Sequence, residues 1–487
     1  MAWSLLVVLH IVERLIDAPA SLVVLSGFAS IAIVSIIHRR RKQASLPLGP
    51  PPRFLTGNLH EIPRSESWRT YAEWANQYGP IFLFRVFSKK IVVLSSHSAV
   101  VDLLESRSSN YSEWPIMWIY KELIGRKLAV FNISASHPRF KVYRKLLHTA
   151  LDTQAVRKLC LLQERETKRL LRSLHGRPDA FITHFRRNAG TVIIETSYGW
   201  TVNSDGDYFV NLMEEGFKVQ AEVARPGRWL VDMFPFLCFL PSWFPGAGFK
   251  HKAAKYREEF SRVDRIPHDW AMEQIWSGTH IESFTSLNMR PGDGTMPDAE
   301  TEDIIRWCSS ALYSGGTDTI VAVMTLFILV MTLNPDAQHR AQEEIDRVVG
   351  TDRLPTVDDC SKLPYVDVLI KEILRWAPAA PLGLPHAALR DDYYQGYLIP
   401  KECTVVANIW ALMHDPSTYS DPFSFDPTRF LEDEGSGMQH DPSCYIFGFG
   451  RCICPGQLFF LKRGWEERPN MYPRCSLCDR VSIPGHS

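Results

Sequence analysis

The stretch from Asp298 to Asn334, DAETEDIIRWCSSALYSGGTDTIVAVMTLFILVMTLN, reads as one long apolar helix and constrains the fold more than any other segment. A helix apolar along so much of its length needs neighbours to cover it. Helical patterns are dense before it, from about residue 97 to 280. Pro335-Asp336 opens a further helix that Gly350 naturally stops, and Tyr365 to Trp376 is amphipathic. Strand signals are few. Tyr78 to Leu94 reads as two short strands around a Ser88-Lys89-Lys90 turn, and Pro378 to Val406 mixes Pro, Gly and short β-prone runs. The expectation is a mainly α fold with a small β portion. A length of 487 residues allows about three domains, but no repeat or low-complexity linker follows residue 52, so one body is expected.

Composition narrows the function classes. Apolar residues make up 45% and charged residues 22%, which excludes a disordered or collagen-like chain. A mean hydropathy of -0.12 argues against a polytopic membrane protein. Lys plus Arg and Asp plus Glu both number 54, so no global field draws the chain to nucleic acid, and no nucleic-acid partner is expected. Ten Cys are too sparse for a disulfide scaffold and are better considered singly.

The N-terminus carries an address. Ala20 to Ile37 is an 18-residue run without a charge, near the lower limit for a bilayer span of about 20 residues. Arg39-Arg40-Arg41-Lys42 follows at once and holds that end cytosolic. Residues 1–45 therefore read as one transmembrane helix with its basic stop-transfer, and the rest as cytosolic. A cleaved signal peptide fits less well, because the charges follow the apolar run. Leu46-Pro-Leu-Gly-Pro-Pro-Pro52 reads as a short rigid spacer. With that topology the sequons at Asn110 and Asn132 are chance matches.

Near the C-terminus stands Phe447-Gly-Phe-Gly-Arg-Cys-Ile-Cys-Pro-Gly456. Glycines around a cysteine let backbone N–H groups approach a thiolate and tune a metal-bound sulfur. The segment resembles the haem-binding loop of the cytochrome P450 monooxygenases, written FxxGxRxCxG. Phe447, Gly450, Cys454 and Gly456 match. The resemblance implies that Cys454 is the thiolate ligand of haem iron, a ligand that favours O–O cleavage. The motif's arginine, which pairs with a haem propionate in the family, is Cys452 here, and Arg451 sits one place early.

Three further segments resemble the family, in the family's order. Gly315-Gly316-Thr317-Asp318-Thr319 is similar to its [AG]-G-x-[DE]-T signature, where a helix crosses the distal face of haem. The likeness implies that Gly315 and Gly316 admit the ligand, that the turn is locally widened, and that Asp318 and Thr319 deliver protons. Two adjacent helix-interior glycines cost about 1 kcal/mol each, which asks for such a reason. Glu372-Ile-Leu-Arg375 is the ExxR pattern, and Phe425-Asp-Pro-Thr-Arg429-Phe430 resembles the PxRF segment. The family joins Glu372, Arg375 and Arg429 in a buried charged triad. His137-Pro-Arg-Phe140-Lys-Val-Tyr-Arg144 resembles the WxxxR helix, with Arg144 on a propionate and Phe140 in place of Trp. Pro385-His386 lies where the family supplies another propionate donor.

After Gly456 the likeness stops. The family continues with a helix, whereas this chain has Gly464, Pro469 and Pro473, so residues 457–487 read as an atypical tail, from a retained intron or a frameshift. Cys475-Ser-Leu-Cys478 is one CxxC without a second pair and is weak as a zinc site.

The resemblance as a whole implies a P450 fold over residues 46–456. It implies a haem-thiolate monooxygenase that inserts one oxygen atom of dioxygen into an apolar small molecule: a secondary metabolite, a terpenoid or steroid, or an aromatic xenobiotic. Electrons would come from an NADPH-cytochrome P450 reductase docked on the Cys454 side, with the chain anchored in the endoplasmic reticulum. The similarity to fungal microsomal members rests on runs such as Ala407-Asn-Ile-Trp-Ala411. Candidate substrate contacts are Trp114, Ile116, Trp118, Leu312, residues 225–245 and Ala380 to Leu384. The alternative is a catalytically impaired, haem-deficient membrane protein, because of Cys452 and the tail.

Overall fold

The computed structural model describes residues 45–461, except 205, 226, 291–295 and 432–438, and the side chains of 460 and 461. The expected anchor, the basic run and the Cys475–Cys478 pair lie outside the described residues.

Among the described residues nine longer helices form the body: α1 (Ser67–Tyr78), α2 (Pro138–Ala150), α3 (Cys160–Gly176), α4 (Phe181–Tyr198), α5 (Tyr208–Val223), α6 (Gly248–Ser277), α7 (Ala299–Leu333), α8 (Pro335–Val349) and α9 (Pro364–Trp376). A short α10 (Gln457–Leu461) closes the described chain. The long helix expected from the sequence is α7, 35 residues in length. Asp298 caps it by accepting the Thr301 N–H at 2.8 Å, with Glu300 and Glu302 favourably placed against the positive N-terminal end of the helix. Asn334 ends it and Pro335 starts α8, whose preset φ suits a first helical position. Gly350 stops α8 with a φ of 83°. By length and composition α7 alone among the described helices would cross a membrane. It instead threads the body, against α2, α4, α6, α8 and α9.

The β portion is a mixed four-stranded sheet plus a hairpin. Strands β1 (Ile81–Val86) and β2 (Lys89–Leu94) pair antiparallel. Strand β3 (His386–Ala387) is an edge, β4 (Asp392–Tyr394) and β5 (Tyr397–Ile399) pair with each other, and β6 (Thr404–Ala407) lies parallel to β2. The sheet order is β1-β2-β6-β3. The first hairpin turns at Phe87 and Ser88, with Phe87 at a φ of 53°, so Lys89 and Lys90 belong to β2 rather than to the expected turn. Their side chains are tolerated because the start of β2 is only half-buried.

The proline-rich spacer is docked rather than free. Leu83 donates its N–H to the Leu48 carbonyl at 2.9 Å, and the Asn58 amide reaches the Pro50 carbonyl at 3.2 Å. A Cβ on Gly49 would come within 1.9 Å of the Leu83 carbonyl oxygen, so only glycine fits there. The Asn110 side-chain amide is consumed by the Arg390 carbonyl inside the fold, consistent with a sequon that carries no sugar.

Candidate functional site

The cysteine loop is built by close approach. Gly450, at a φ of 56°, presses on the distant helical stretch 101–111; a Cβ there would lie 2.5 Å from the Leu104 carbonyl oxygen and 2.7 Å from the Ser108 Cβ. The Cys454 N–H donates to the Phe447 carbonyl at 2.7 Å, which closes the loop on itself. A Cβ on Gly456 would meet the Cys454 sulfur at 3.6 Å. The Gly456 N–H points at that sulfur and, with Arg144, works against the burial that pushes the Cys454 thiol up. The sulfur nevertheless belongs to an exposed residue. It is walled by protein but opens into free space, as a ligand-presenting thiol must.

Arg144, on α2, faces the same place. It is half-buried, and burial lowers its pKa; the opposing influences are Cys452 and Cys454. Among the described residues no carboxylate pairs with it. An enclosed guanidinium without an anion is costly, and this one lies beside an accessible thiol. The donor set therefore fits a group that brings both a metal for the sulfur and a carboxylate for the arginine, as haem does.

Cys452 stands where the matching motif has its arginine. Its thiol points at the Ser112 carbonyl, 3.7 Å away, and burial pushes it up to about 11, so it is neutral at ordinary pH. Arg451 is exposed and does not take its place. Phe140, in the usual Trp position, is buried in an apolar cluster with Ile133, Tyr143, Ile305 and Cys308.

His386 is buried on β3. Its Nδ1 donates to the Tyr111 carbonyl at 2.6 Å, and burial lowers its pKa. In the neutral ring Nε2 is then an acceptor, so His386 donates to a carboxylate only once protonated.

Glu372, Arg375 and Arg429, which the resemblance implies as a buried triad, come together in the fold. Arg375 grips Glu372 through two contacts, Nε to Oε2 at 2.7 Å and Nη2 to Oε1 at 2.8 Å. Arg429 reaches the same carboxylate from the Pro427–Phe430 turn, its Nε 3.1 Å from Oε2. Further guanidinium N–H groups donate to backbone carbonyls of Met413, Pro422, Ser424 and Ser420 and to the Gln439 side-chain oxygen.

On α7 the two glycines part company. A Cβ on Gly316 would meet the Ile193 Cδ1 at 2.9 Å, so Gly316 permits the close crossing of α4 and α7. Gly315 faces the open side, where Phe131 lies 3.2 Å from an ideal Cβ. The expected widened turn is absent: α7 is regular throughout, and the Thr319 hydroxyl donates to the Gly315 carbonyl at 3.1 Å. Asp318 is exposed; partial burial raises its pKa and the charge of Arg186 lowers it.

The substrate candidates separate into groups. Trp118 packs against a cluster that includes Trp229 and Val231, and Leu382, Phe87 and Met233 all pack against the cluster around Phe82 and Phe84, so residues 225–245 share clusters with both flanking segments. Leu312 belongs to the Phe140 cluster, while Ile116 and Leu384 are exposed. Sequence reasoning missed a polar network between α6 and α7, in which Asp264 accepts from Arg126 and from the Ser310 hydroxyl at 2.6 Å. No short-range signal marks partners so far apart in the chain.

The model of one family, Cytochrome P450, matches residues 47–459. The chain belongs to the cytochrome P450 family. It is 38% identical over 431 residues to cytochrome P450 monooxygenase 208 of Postia placenta, a match covering 88% of this chain and 83% of that one. It is 39% identical over 426 residues to cytochrome P450 monooxygenase claR of Ampulloclitocybe clavipes, covering 87% and 78%. With cytochrome P450 monooxygenase ppsD of Aspergillus oryzae the identity is 35% over 427 residues, covering 86% and 80%. This P450 is accordingly an oxidoreductase of the monooxygenase type, and its cofactor is haem held by a cysteine thiolate.

Proposed function

We propose that this P450 inserts one oxygen atom from dioxygen into an apolar small molecule, with electrons from an NADPH-cytochrome P450 reductase. The observation that carries the reading is the exposed Cys454, with Gly456 packed against its sulfur, beside an Arg144 that has no carboxylate partner among the described residues. Haem, when bound, supplies the activation of dioxygen. Cys454 would hold its iron and Arg144 a propionate, while Gly456 allows close packing at the sulfur and Gly450 the approach of the loop to Leu104 and Ser108. Glu372, Arg375 and Arg429 fix the segment that leads into the loop. Thr319 and Asp318 would move protons on the open side of α7, and Gly315 keeps that side low. The apolar groups at Trp118, Leu382 and Met233 would face the substrate.

The exposed Arg451, beside the ligand, suits the docking of an acidic reductase surface. The uncharged run Ala20 to Ile37 and its basic flank support a single-pass anchor over residues 1–45 in the endoplasmic reticulum, with residues 46–456 cytosolic. The substrate class is an apolar small molecule: a secondary metabolite, a terpenoid or steroid, or an aromatic xenobiotic.

The test is a reduced carbon monoxide difference spectrum of the expressed chain, followed by turnover with reductase and NADPH on a panel of apolar compounds. A thiolate-type Soret band with NADPH-dependent product is expected. A second reading, a haem-poor and inactive chain, is favoured by the neutral thiol of Cys452 where the motif has a cation. Absence of the band with free haem supplied would select it.

A further inference from the structure

Two histidines from distant parts of the chain meet at the surface, on the segment that leads into the cysteine loop. His97 opens the helical turn His97–Val100, and His440 lies seven residues before Phe447. Their ring centres are 5.2 Å apart with the planes at 58°, and both residues are exposed. Each is anchored by a buried tyrosine of the largest apolar cluster. The His97 Nδ1 shares a 2.8 Å hydrogen bond with the Tyr445 hydroxyl, and the Tyr445 ring packs edge-on against it. The His440 carbonyl accepts from the Tyr419 hydroxyl at 3.0 Å, and the neighbouring Gln439 side chain accepts from Arg429 at 3.1 Å. Both histidines therefore start from fixed backbone.

The spacing is that of two imidazoles on one metal ion. A Zn–N bond of about 2.0–2.1 Å plus about 1.1 Å from ring nitrogen to ring centre puts each centre about 3.2 Å from the ion, and at a tetrahedral angle two such centres stand about 5.2 Å apart. The Tyr445 bond leaves Nε2 of His97 for the ion, and a partner on the other ring nitrogen is what orients a ligating histidine. The charge of Asp102 also acts on His97, which adds an anion to the neighbourhood of a cation site.

We propose that His97 and His440 together bind one divalent ion of the zinc or copper(II) class, with water in the remaining positions. The ion ties the start of the 97–111 helical stretch to the segment ahead of the cysteine loop. Imidazole nitrogen selects zinc and copper(II) over magnesium and calcium, which take oxygen ligands. Two protein ligands make an exchangeable site rather than a closed structural one. The inference does not rest on the haem-thiolate reading, because neither histidine has a part in it.

The experiment titrates the full-length protein, made without a histidine tag, with Zn²⁺ by calorimetry and with Cu²⁺ by electron paramagnetic resonance. All other histidines and the cysteines stay in every variant, so the comparison isolates this pair. H97Q and H440Q should each lose the same single equivalent of Zn²⁺. Zn²⁺ should raise the unfolding temperature of the wild type by more than that of either variant, since an ion bound at this pair in the folded chain stabilises it. The Cu²⁺ bound at that equivalent should show two nitrogen ligands. Equal Zn²⁺ binding in all three proteins would overturn the proposal. So would loss in only one variant, which reports a single surface histidine. If a glutamine variant does not accumulate, H97N and H440N ask the same question, and a wild-type Cu²⁺ spectrum with one nitrogen refutes the pair without any variant.

Discussion

Arg375 and Glu372 form a two-point pair one helical turn apart, Nε to Oε2 at 2.7 Å and Nη2 to Oε1 at 2.8 Å, with neither side chain reaching solvent. The carboxylate also accepts the Asp426 N–H at 2.9 Å and meets Arg429. One anion therefore faces two cations. The excess positive charge is met by backbone carbonyls from Met413 to Ser424, which turns a local helix pair into a clamp on the whole segment ahead of the cysteine loop.

Replacing Glu372 by Gln would leave two buried guanidinium groups without an anion. Breaking a buried pair in this way costs about 3–5 kcal/mol. The E372Q protein should unfold at a much lower urea midpoint, followed by far-ultraviolet circular dichroism, and should fail to retain haem. A midpoint within error of wild type would remove the triad from the structural account.

The crossing of α4 and α7 makes a second prediction. Gly316 leaves no room for a branched side chain, because Ile193 already fills the space. G316V should cost about 1–3 kcal/mol by overpacking, read as a fall in thermal unfolding temperature, and I193A in the same chain should return part of it. G315A, on the open side, gains about 1 kcal/mol of helix propensity against one contact with Phe131, so its unfolding temperature should hold or rise. Equal losses for the two would contradict the geometry.

The ends of α7 and α8 were legible from local chemistry: Asp298, Pro335 and Gly350 each act within a few residues of the boundary they set. The pairing of Glu372 with Arg375 was legible for the same reason, and the haem loop because its glycines and cysteine are contiguous. What escaped depends on distant partners. Nothing near Gly316 announces Ile193, and nothing near His97 announces His440. The extension of β2 to Lys89 follows from pairing with Val86 across a two-residue turn, which lysine's weak strand preference obscured.

His414 gives a pH dependence with a definite sign. It is buried against Trp410, centroids 4.3 Å apart, and burial lowers its pKa to about 4 from an ordinary 6.5. Between those values the unfolded chain binds a proton that the folded chain does not. Its contribution is complete above about pH 6.5 and is lost as the pH falls towards 4, at up to about 1.4 kcal/mol per pH unit. H414Q should flatten the dependence of the urea midpoint on pH across that window. An unchanged slope in the variant would show that His414 does not titrate this way.

Thr319 offers the cleanest separation of chemistry from folding. Its hydroxyl donates to the Gly315 carbonyl at 3.1 Å, one turn back on its own helix, and the residue is exposed on the open side of α7. A hydroxyl in that posture keeps its lone pairs free and can turn its proton outward, since the Gly315 carbonyl also belongs to the helix ladder. Valine matches threonine in shape and removes only the O–H. T319V should therefore keep its unfolding midpoint, its haem content and its thiolate-type carbon monoxide spectrum. Positioned proton transfer is worth roughly 10²–10⁴-fold, so product formation should fall by about 10²-fold or more. NADPH consumption should fall far less, with hydrogen peroxide accounting for the difference. Product yield per NADPH equal to that of the wild type would show that the proton route on this face does not pass through Thr319, and would shift attention to Asp318, whose partial burial raises its pKa and makes it the better-placed acid.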